Sequence, residues 1–306
     1  MNSASGTAFP IGAMLRAMRP SQWTKNAVVP AAFFFALGDR TKHLQFADNL
    51  IHVLLATLLF CLISSGIYIV NDIIDASADR NHPQKKFRPI AMGQVSVSLA
   101  ARLALLLLAG GLTGAYFLSP PFALTAVAYV AIQLVYTFGL KRVALVDVFV
   151  IAAGFVLRAI AGGVVLAVEI SPWLLLCAFL LALFLALCKR RHEKVLTNAA
   201  GGETRANLGA YDERLLDQLI AIVAAATLVC YAIYTLSAQT VEKFGTARLG
   251  FTIPFVMFGL FRYLDIVYRH EKGDRPERVL LTDVPLLVTL ALYGLCALAV
   301  FLLRHS

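Results

Sequence analysis

Eight stretches of this chain stay apolar for about as long as a helix needs to cross hydrocarbon, and no other feature limits its fold as strongly. They run over 50–70, 98–118, 121–140, 143–168, 172–188, 215–238, 249–268 and 284–303. A bilayer core requires ~20 consecutive apolar residues in a helix. Within it only helices and closed barrels satisfy their own backbone N–H and C=O groups. A ninth run, 23–38 (WTKNAVVPAAFFFALG), is shorter, contains Pro30, and completes an expected set of nine spans. The mean hydropathy of +0.77 fits this count. The sequence therefore predicts an all-α, polytopic membrane protein, a single membrane domain over 1–306.

The placement of the 27 Lys and Arg residues tests that reading independently. With nine spans and a cytoplasmic N-terminus, most of them fall in inner segments. Only Arg40, Lys42, Lys243, Arg248 and Arg304 fall outside, and Arg102, Arg158 and Arg262 lie within spans. That bias is what the positive-inside rule requires, and it predicts a multi-pass protein of the inner (plasma) membrane with its C-terminus outside. The net charge of +9 then reflects juxtamembrane cations facing anionic lipid, and no nucleic-acid partner is expected. All five cysteines sit in apolar spans without metal-ligand spacing and read as small core residues. The first ten residues, MNSASGTAFP, lack the basic start and apolar centre of a cleavable signal. Residues 11–20 carry Ile11, Met14, Leu15 and Met18 on one face, which fits an interfacial helix. The inner connections are the longer and more polar ones, and 189–214 in particular reads as a cytoplasmic loop.

The chemistry concentrates where the run 50–70 ends, in IVNDIIDASADRNHPQKKFRP. Asp72, Asp75 and Asp79 are spaced i, i+3, i+7 and share one helical face, with Asn71 beside them. Three carboxylates on one stripe repel unless a cation sits among them. Hard oxygen donors beside a source of phosphate oxygens suit Mg²⁺. The competing reading is a solvated helix end whose acids pair with Arg80, Lys85 and Lys86.

A second set lies in YTFGLKRVALVDVFVIAAGFVLRAIAGG. Lys141 and Arg142 stand at the inner boundary, while Asp147 and Arg158 lie inside the next span, about three turns apart. Ionisable groups at that depth are costly unless paired or wetted, so they commonly line a cavity. The alternative is a structural pair with another span, for instance with Arg262 or Asp265. Two weaker signals remain. In MRPSQWTKN, Lys25 and Asn26 could face a pocket; in CKRRHEK, Lys189 or Arg190 could bind phosphate, although a positive-inside stop also explains them. His192 reads as part of the loop.

Taken together, N-D-x-x-D-x-x-x-D at a span end, the following Arg88-Pro89 and the nine-span pattern resemble the UbiA superfamily of intramembrane prenyltransferases over nearly the whole chain. The resemblance implies a UbiA-like bundle with its site at the cytoplasmic face and Mg²⁺ held on a diphosphate by Asp72, Asp75 and Asp79. Aromatic prenyltransferases of that superfamily carry a second D-x-x-x-D pair. Here Asp147 is followed four residues later by Ile151. The surrounding Tyr136, Lys141 and Arg158, with MRPSQWTKN and HPQKKFRPIAMGQ, are instead similar to the decaprenyl-phosphate phosphoribosyltransferase branch. That branch transfers 5-phosphoribose from phosphoribosyl diphosphate to a polyprenyl phosphate, a step toward cell-wall arabinan. On this basis Lys25, Asn71, Lys86, Arg88, Tyr136, Lys141, Asp147, Arg158 and Lys189 are expected to bind substrate, with Lys86, Arg88, Lys141 and Arg158 as the phosphate cradle. The rival readings are an aromatic prenyltransferase, which should want Asp at 151, and a transporter, which should show paired helix breaks or repeats. A homo-oligomer is compatible with every one of them.

Overall fold

Proline and hydroxyl or carboxyl side chains decide where the apolar runs divide into separate helices. Ser96 accepts a hydrogen bond from the Leu99 N–H and opens α5 (Val97–Leu118). Pro120 occupies the first turn of α6 (Pro120–Phe138), where its missing N–H costs nothing. Asp283 accepts from the Leu286 N–H at the start of α12 (Val284–Leu302). The computed structural model describes residues 11–39, 45–82, 84–200, 208–269, 279 and 281–303. The other helices are α1 (Ile11–Ala17), α2 (Val28–Gly38), α3 (Phe46–Ile74), α4 (Ala76–Arg80), α7 (Val146–Val165), α8 (Pro172–Ala200), α9 (Glu213–Leu236), α10 (Ala238–Phe244) and α11 (Ile253–Arg269). No strand occurs among the described residues.

Among the described residues, eight helical segments are long and apolar enough to cross a membrane: α3, α5, α6, α7, α8, α9, α11 with the turn before it, and α12. The ninth expected span is built differently. A 3-10 helix over Pro20–Ala27 leads into α2, whose eleven residues reach only about 16 Å. Pro30 lies in the first turn of α2, where the backbone N–H groups lack helical acceptors anyway, so it does not break the helix. Large apolar side chains such as Leu105, Phe117, Leu124, Ile222, Phe261 and Leu295 are exposed on the outside of the bundle. A lipid-facing surface requires this.

Small residues let the central helices approach. On the α3–α5 contact an added methyl at Gly66, Gly111 or Gly114 would meet Leu108, Ile63 or Leu59 within 2.7 Å. At Gly162 of α7 it would meet the Val29 carbonyl of α2 at 2.2 Å, so α2 lies almost on the α7 backbone. α3 forms the axis of this half, packing Phe60, Ile63 and Ile67 against Phe122, Ala126 and Tyr129 of α6 and Ala161 of α7. Its 29 residues extend about 44 Å, longer than the ~30 Å hydrocarbon layer. The surplus places Asn71 and Asp72 in its final turns.

Two expectations change. The segment 189–214 is not a loop throughout: α8 continues to Ala200. KRRHEKVL is made largely of good helix formers, and Gly201 and Gly202 come only afterwards. His192, expected in that loop, is buried on the helix. In α1, the buried positions are Ala13 and Ala17, with Met14 and Met18 packed beside them, while Ile11 and Leu15 are exposed. The docked face is therefore rotated from the one the sequence suggested.

Candidate active site

The last turn of α3, the short α4 and the 3-10 turn Lys85–Phe87 form one corner of the bundle. Asp72 is 2% exposed and accepts from both Arg19 and Arg88, the latter at 3.1 Å. The same Arg88 nitrogen donates to Asp79 at 2.5 Å. Asp75, at the boundary between α3 and α4, accepts from the Lys141 ammonium at 2.6 Å, and Asn71 Oδ1 accepts from it at 3.3 Å. The acidic stripe predicted from the i, i+3, i+7 spacing is thus real. Its acids meet Arg19, Arg88 and Lys141, whereas Arg80, a partner in the competing reading, donates to the Ala91 carbonyl.

Arg19, which no motif in the sequence singles out, supplies a central contact. Its backbone is left-handed (φ 54°, ψ 61°), a conformation a non-glycine residue holds only when its surroundings enforce it. Here the enforcement is visible: its guanidinium binds Asp72 and lies 5.3 Å from the Tyr68 ring centre. The following 3-10 helix is stitched to α3 by Trp23 Nε1, which donates to Ser65 Oγ. Behind the stripe, His82 Nδ1 accepts from the Gln84 and Lys85 N–H groups. Burial, with Lys85 adding to it, lowers the pKa of this imidazole, so it stays neutral and remains an acceptor near pH 7.

Asp72 and Asp79 both contact one Arg88 nitrogen, so a cation already occupies the point on which their oxygens converge. No three carboxylate, imidazole or thiol groups among the described residues form a complete metal cage. Mg²⁺ fits this arrangement, since it takes one or two carboxylates and completes its shell with water and substrate phosphate.

The second predicted constellation divides in two. Arg158 is buried and donates to Asn26 Oδ1 (2.8 Å), Tyr129 Oη (2.8 Å) and the Gly154 carbonyl (2.9 Å). Asn26 in turn donates to Ser64 Oγ and Cys61 Sγ. Those α3 positions lie about 12–16 Å below Asp72 along the helix. Arg158 is therefore not gathered with the acidic stripe. No carboxylate lies within ion-pair distance of it among the described residues, and the Tyr129 ring lies 4.7 Å from its guanidinium. Asp147 is fully buried, accepting from Arg190 Nε at 2.7 Å and from the Tyr211 hydroxyl at 2.6 Å. Its partner is thus Arg190 and not Arg262, which binds Asp265 and Asp283. Arg190 also binds Glu193 at 2.5 Å. Of the remaining expected substrate contacts, Lys25, Tyr136 and Lys189 are half-buried, and Tyr136 lies near Arg190. Lys86 is exposed with its ammonium 5.3 Å from the Phe87 ring centre.

A cavity of about 660 Å³ opens between α2, α8, α9, α11 and α12. Phe35, Leu181, Tyr231, Tyr263, Leu290 and Tyr293 are among its predominantly apolar walls. Near the far end of α2, Lys243 binds Asp39 at 3.3 Å and donates to the Glu169 carbonyl at 2.7 Å.

Residues 27–282 match the family described as UbiA prenyltransferase family. The chain is 36% identical to a decaprenyl-phosphate phosphoribosyltransferase of Mycolicibacterium smegmatis, over 92% of this chain and 91% of that protein. It is 35% identical to one of Corynebacterium glutamicum, over 95% and 87%. A UbiA homolog from Archaeoglobus fulgidus, solved bound to GPP and Mg²⁺, has the same fold, with a TM-score of 0.71 at 23% identity over 94% of this chain and 99% of that one.

Proposed function

Because this chain belongs to the UbiA prenyltransferase family, we propose that it transfers 5-phosphoribose from 5-phosphoribosyl 1-diphosphate to a polyprenyl (decaprenyl) phosphate. Diphosphate is released. One observation carries the reading: three carboxylates and three cations pair at the inner helix ends, Asp72 with Arg19 and Arg88, Asp79 with Arg88, and Asp75 with Lys141. A polyanionic donor needs that mixture. The relatives' names supply the substrate class.

Asp72 and Asp79 would hold Mg²⁺, which supplies charge neutralisation to the leaving diphosphate. Arg88 and Arg19 offer flat, multi-donor contacts to phosphate oxygens, whereas Lys141 offers a point charge. Asp75 and Asn71 aim Lys141, and His82 braces the turn carrying Arg88. In the reaction the bond from ribose C1 to the diphosphate oxygen breaks, and a bond from an acceptor phosphate oxygen to C1 forms. The acceptor is already an anion, so no proton need be removed and no general base is required. The apolar cavity would take part of the isoprenoid chain, the remainder lying in the bilayer. The charge bias supports an inner-membrane placement with a cytoplasmic N-terminus and the site on the cytoplasmic side.

Ile151 argues against a second acidic pair at this point of the chain. It is partly buried against Val148, Ala152 and Leu183 in a packed apolar cluster. The test is direct. Purified protein with Mg²⁺ is given labelled phosphoribosyl diphosphate plus decaprenyl phosphate, and separately a polyprenyl diphosphate plus aromatic acids. Label should move to lipid only in the first mixture. Transfer of the prenyl group in the second, with none in the first, would replace this reading by aromatic prenylation.

A further inference from the structure

Lys141 sits on a 3-10 turn, Leu140–Arg142, that leads into an unusual bend. Leu145 has φ 66° and ψ −47°, and the Val146 N–H donates to the Ala144 carbonyl at 2.8 Å. These values define a γ-turn of the rare, strained hand. The Leu145 N–H is taken up by the hydroxyl of Tyr211 at 2.7 Å. Because a backbone N–H can only donate, the phenol oxygen accepts there, and its single proton goes to Asp147 Oδ1. Asp147 Oδ2 is fixed by Arg190. The ring of Tyr211 is itself 2% exposed within the cluster around Leu187 and Leu216. The hydroxyl thus ties the segment before α9 to the α6–α7 connection and to Asp147 of α7, which the extension of α8 holds through Arg190. Burial, reinforced by the Asp147 hydrogen bond, raises the Tyr211 pKa, so its proton stays in place.

We propose that Tyr211 is a positioning residue for diphosphate binding: its hydroxyl, oriented by Asp147 and Arg190, holds the strained turn at Leu145 and thereby fixes Lys141 against Asn71 and Asp75. The inference rests on the reading above only in taking Lys141 as a phosphate contact. Tyr211 does not touch substrate. It acts through the backbone four residues beyond Lys141.

The probe is inorganic diphosphate with Mg²⁺, the product common to both donor classes, so the result does not depend on which donor the enzyme uses. Its affinity is measured calorimetrically on the full-length protein in detergent for the parent, Tyr211→Phe, Lys141→Met and the double variant. Removing the hydroxyl while keeping the ring should weaken binding about tenfold, the scale of one hydrogen bond. The double variant should bind no more weakly than Lys141→Met alone, because both changes remove the same contact. Amide exchange at Leu145 and Val146 should accelerate in Tyr211→Phe. A purely structural tyrosine would lower the melting temperature and add its effect to that of Lys141→Met. Additive losses, unchanged diphosphate affinity in Tyr211→Phe, or no effect of Lys141→Met would each overturn the proposal. Should Tyr211→Phe not fold, Asp147→Asn enters the same cycle, and additivity there overturns it equally. Failure of phosphoribosyl transfer with the cycle intact would remove the proposed donor but leave the positioning role standing.

Discussion

Asp72 shows how much one side chain is asked to do at the acidic corner of the bundle. It is buried at the end of α3 and accepts from two arginines. In Asp72→Ala both guanidiniums lose a partner, and one of the two carboxylates suited to Mg²⁺ is gone. We expect turnover at saturating Mg²⁺ to fall by about a hundredfold or more, several kcal/mol of lost charge stabilisation. Near-parent turnover would show that Asp72 holds neither metal nor arginine productively. Lys141 and Arg158 should behave differently from one another, although both were grouped as phosphate ligands on sequence grounds. Lys141→Met removes an ammonium bound to Asp75 and should raise the donor KM and lower kcat. Arg158→Leu leaves Asn26 and Tyr129 without their donor deep in the bundle, so its main effect should be on melting temperature. Steady-state kinetics beside thermal melts separate the two; a larger donor KM effect for Arg158→Leu would return it to the phosphate cradle.

At the level of helices, the separation between backbones sets what substitutions are allowed. Gly162→Ala adds a methyl that meets a carbonyl of α2, not a side-chain end that can turn away. We expect a loss of about 1–3 kcal/mol in stability from the forced shift, read as a lower melting temperature in detergent. Gly110→Ala on α5 meets nothing within 4 Å and should melt like the parent. Equal melting of the two variants would mean that α2 does not sit on α7 as described. Ile151→Asp tests α7 nearer its start. A carboxylate placed beside Val148, Ala152 and Leu183 would be partly buried without a designed partner, which costs stability. Folded yield should drop, and no prenyl transfer from a polyprenyl diphosphate should appear.

For the molecule as a whole, the acidic and cationic groups lie at one end of a bundle whose flanks are apolar. A water-soluble, multiply charged donor and a lipid-borne acceptor can meet only where such an end borders the bilayer. On the proposed function, the cavity between α2 and the helices α8 to α12 would give the lipid a route into the fold. Leu181→Trp, which fills part of that space, should raise the KM for decaprenyl phosphate several-fold, with the KM for phosphoribosyl diphosphate nearly unchanged. Equal shifts in both constants would show that the cavity is not the lipid's path.

Much of this was legible before any coordinates. The apolar runs specify helices and their number to within one because hydrocarbon leaves the backbone no other choice. The carboxylate stripe follows from 3.6 residues per turn, and Ile151 stands in the chain as an apolar residue whatever surrounds it. Partner choice was not legible. Asp72 meets Arg19 from 53 positions away, and Asp147 meets Arg190 and Tyr211 from 43 and 64 positions away. Spacing along one helix says which residues share a face but not which helix covers that face. Asp147 and Arg158 accordingly shared a stripe on paper and belong to different networks in the bundle. The rotation of each helix is fixed by contacts such as Val29 on Gly162 and Leu108 on Gly66. Those contacts exist only once the helices are packed, so the tertiary structure alone decided which charges stand together.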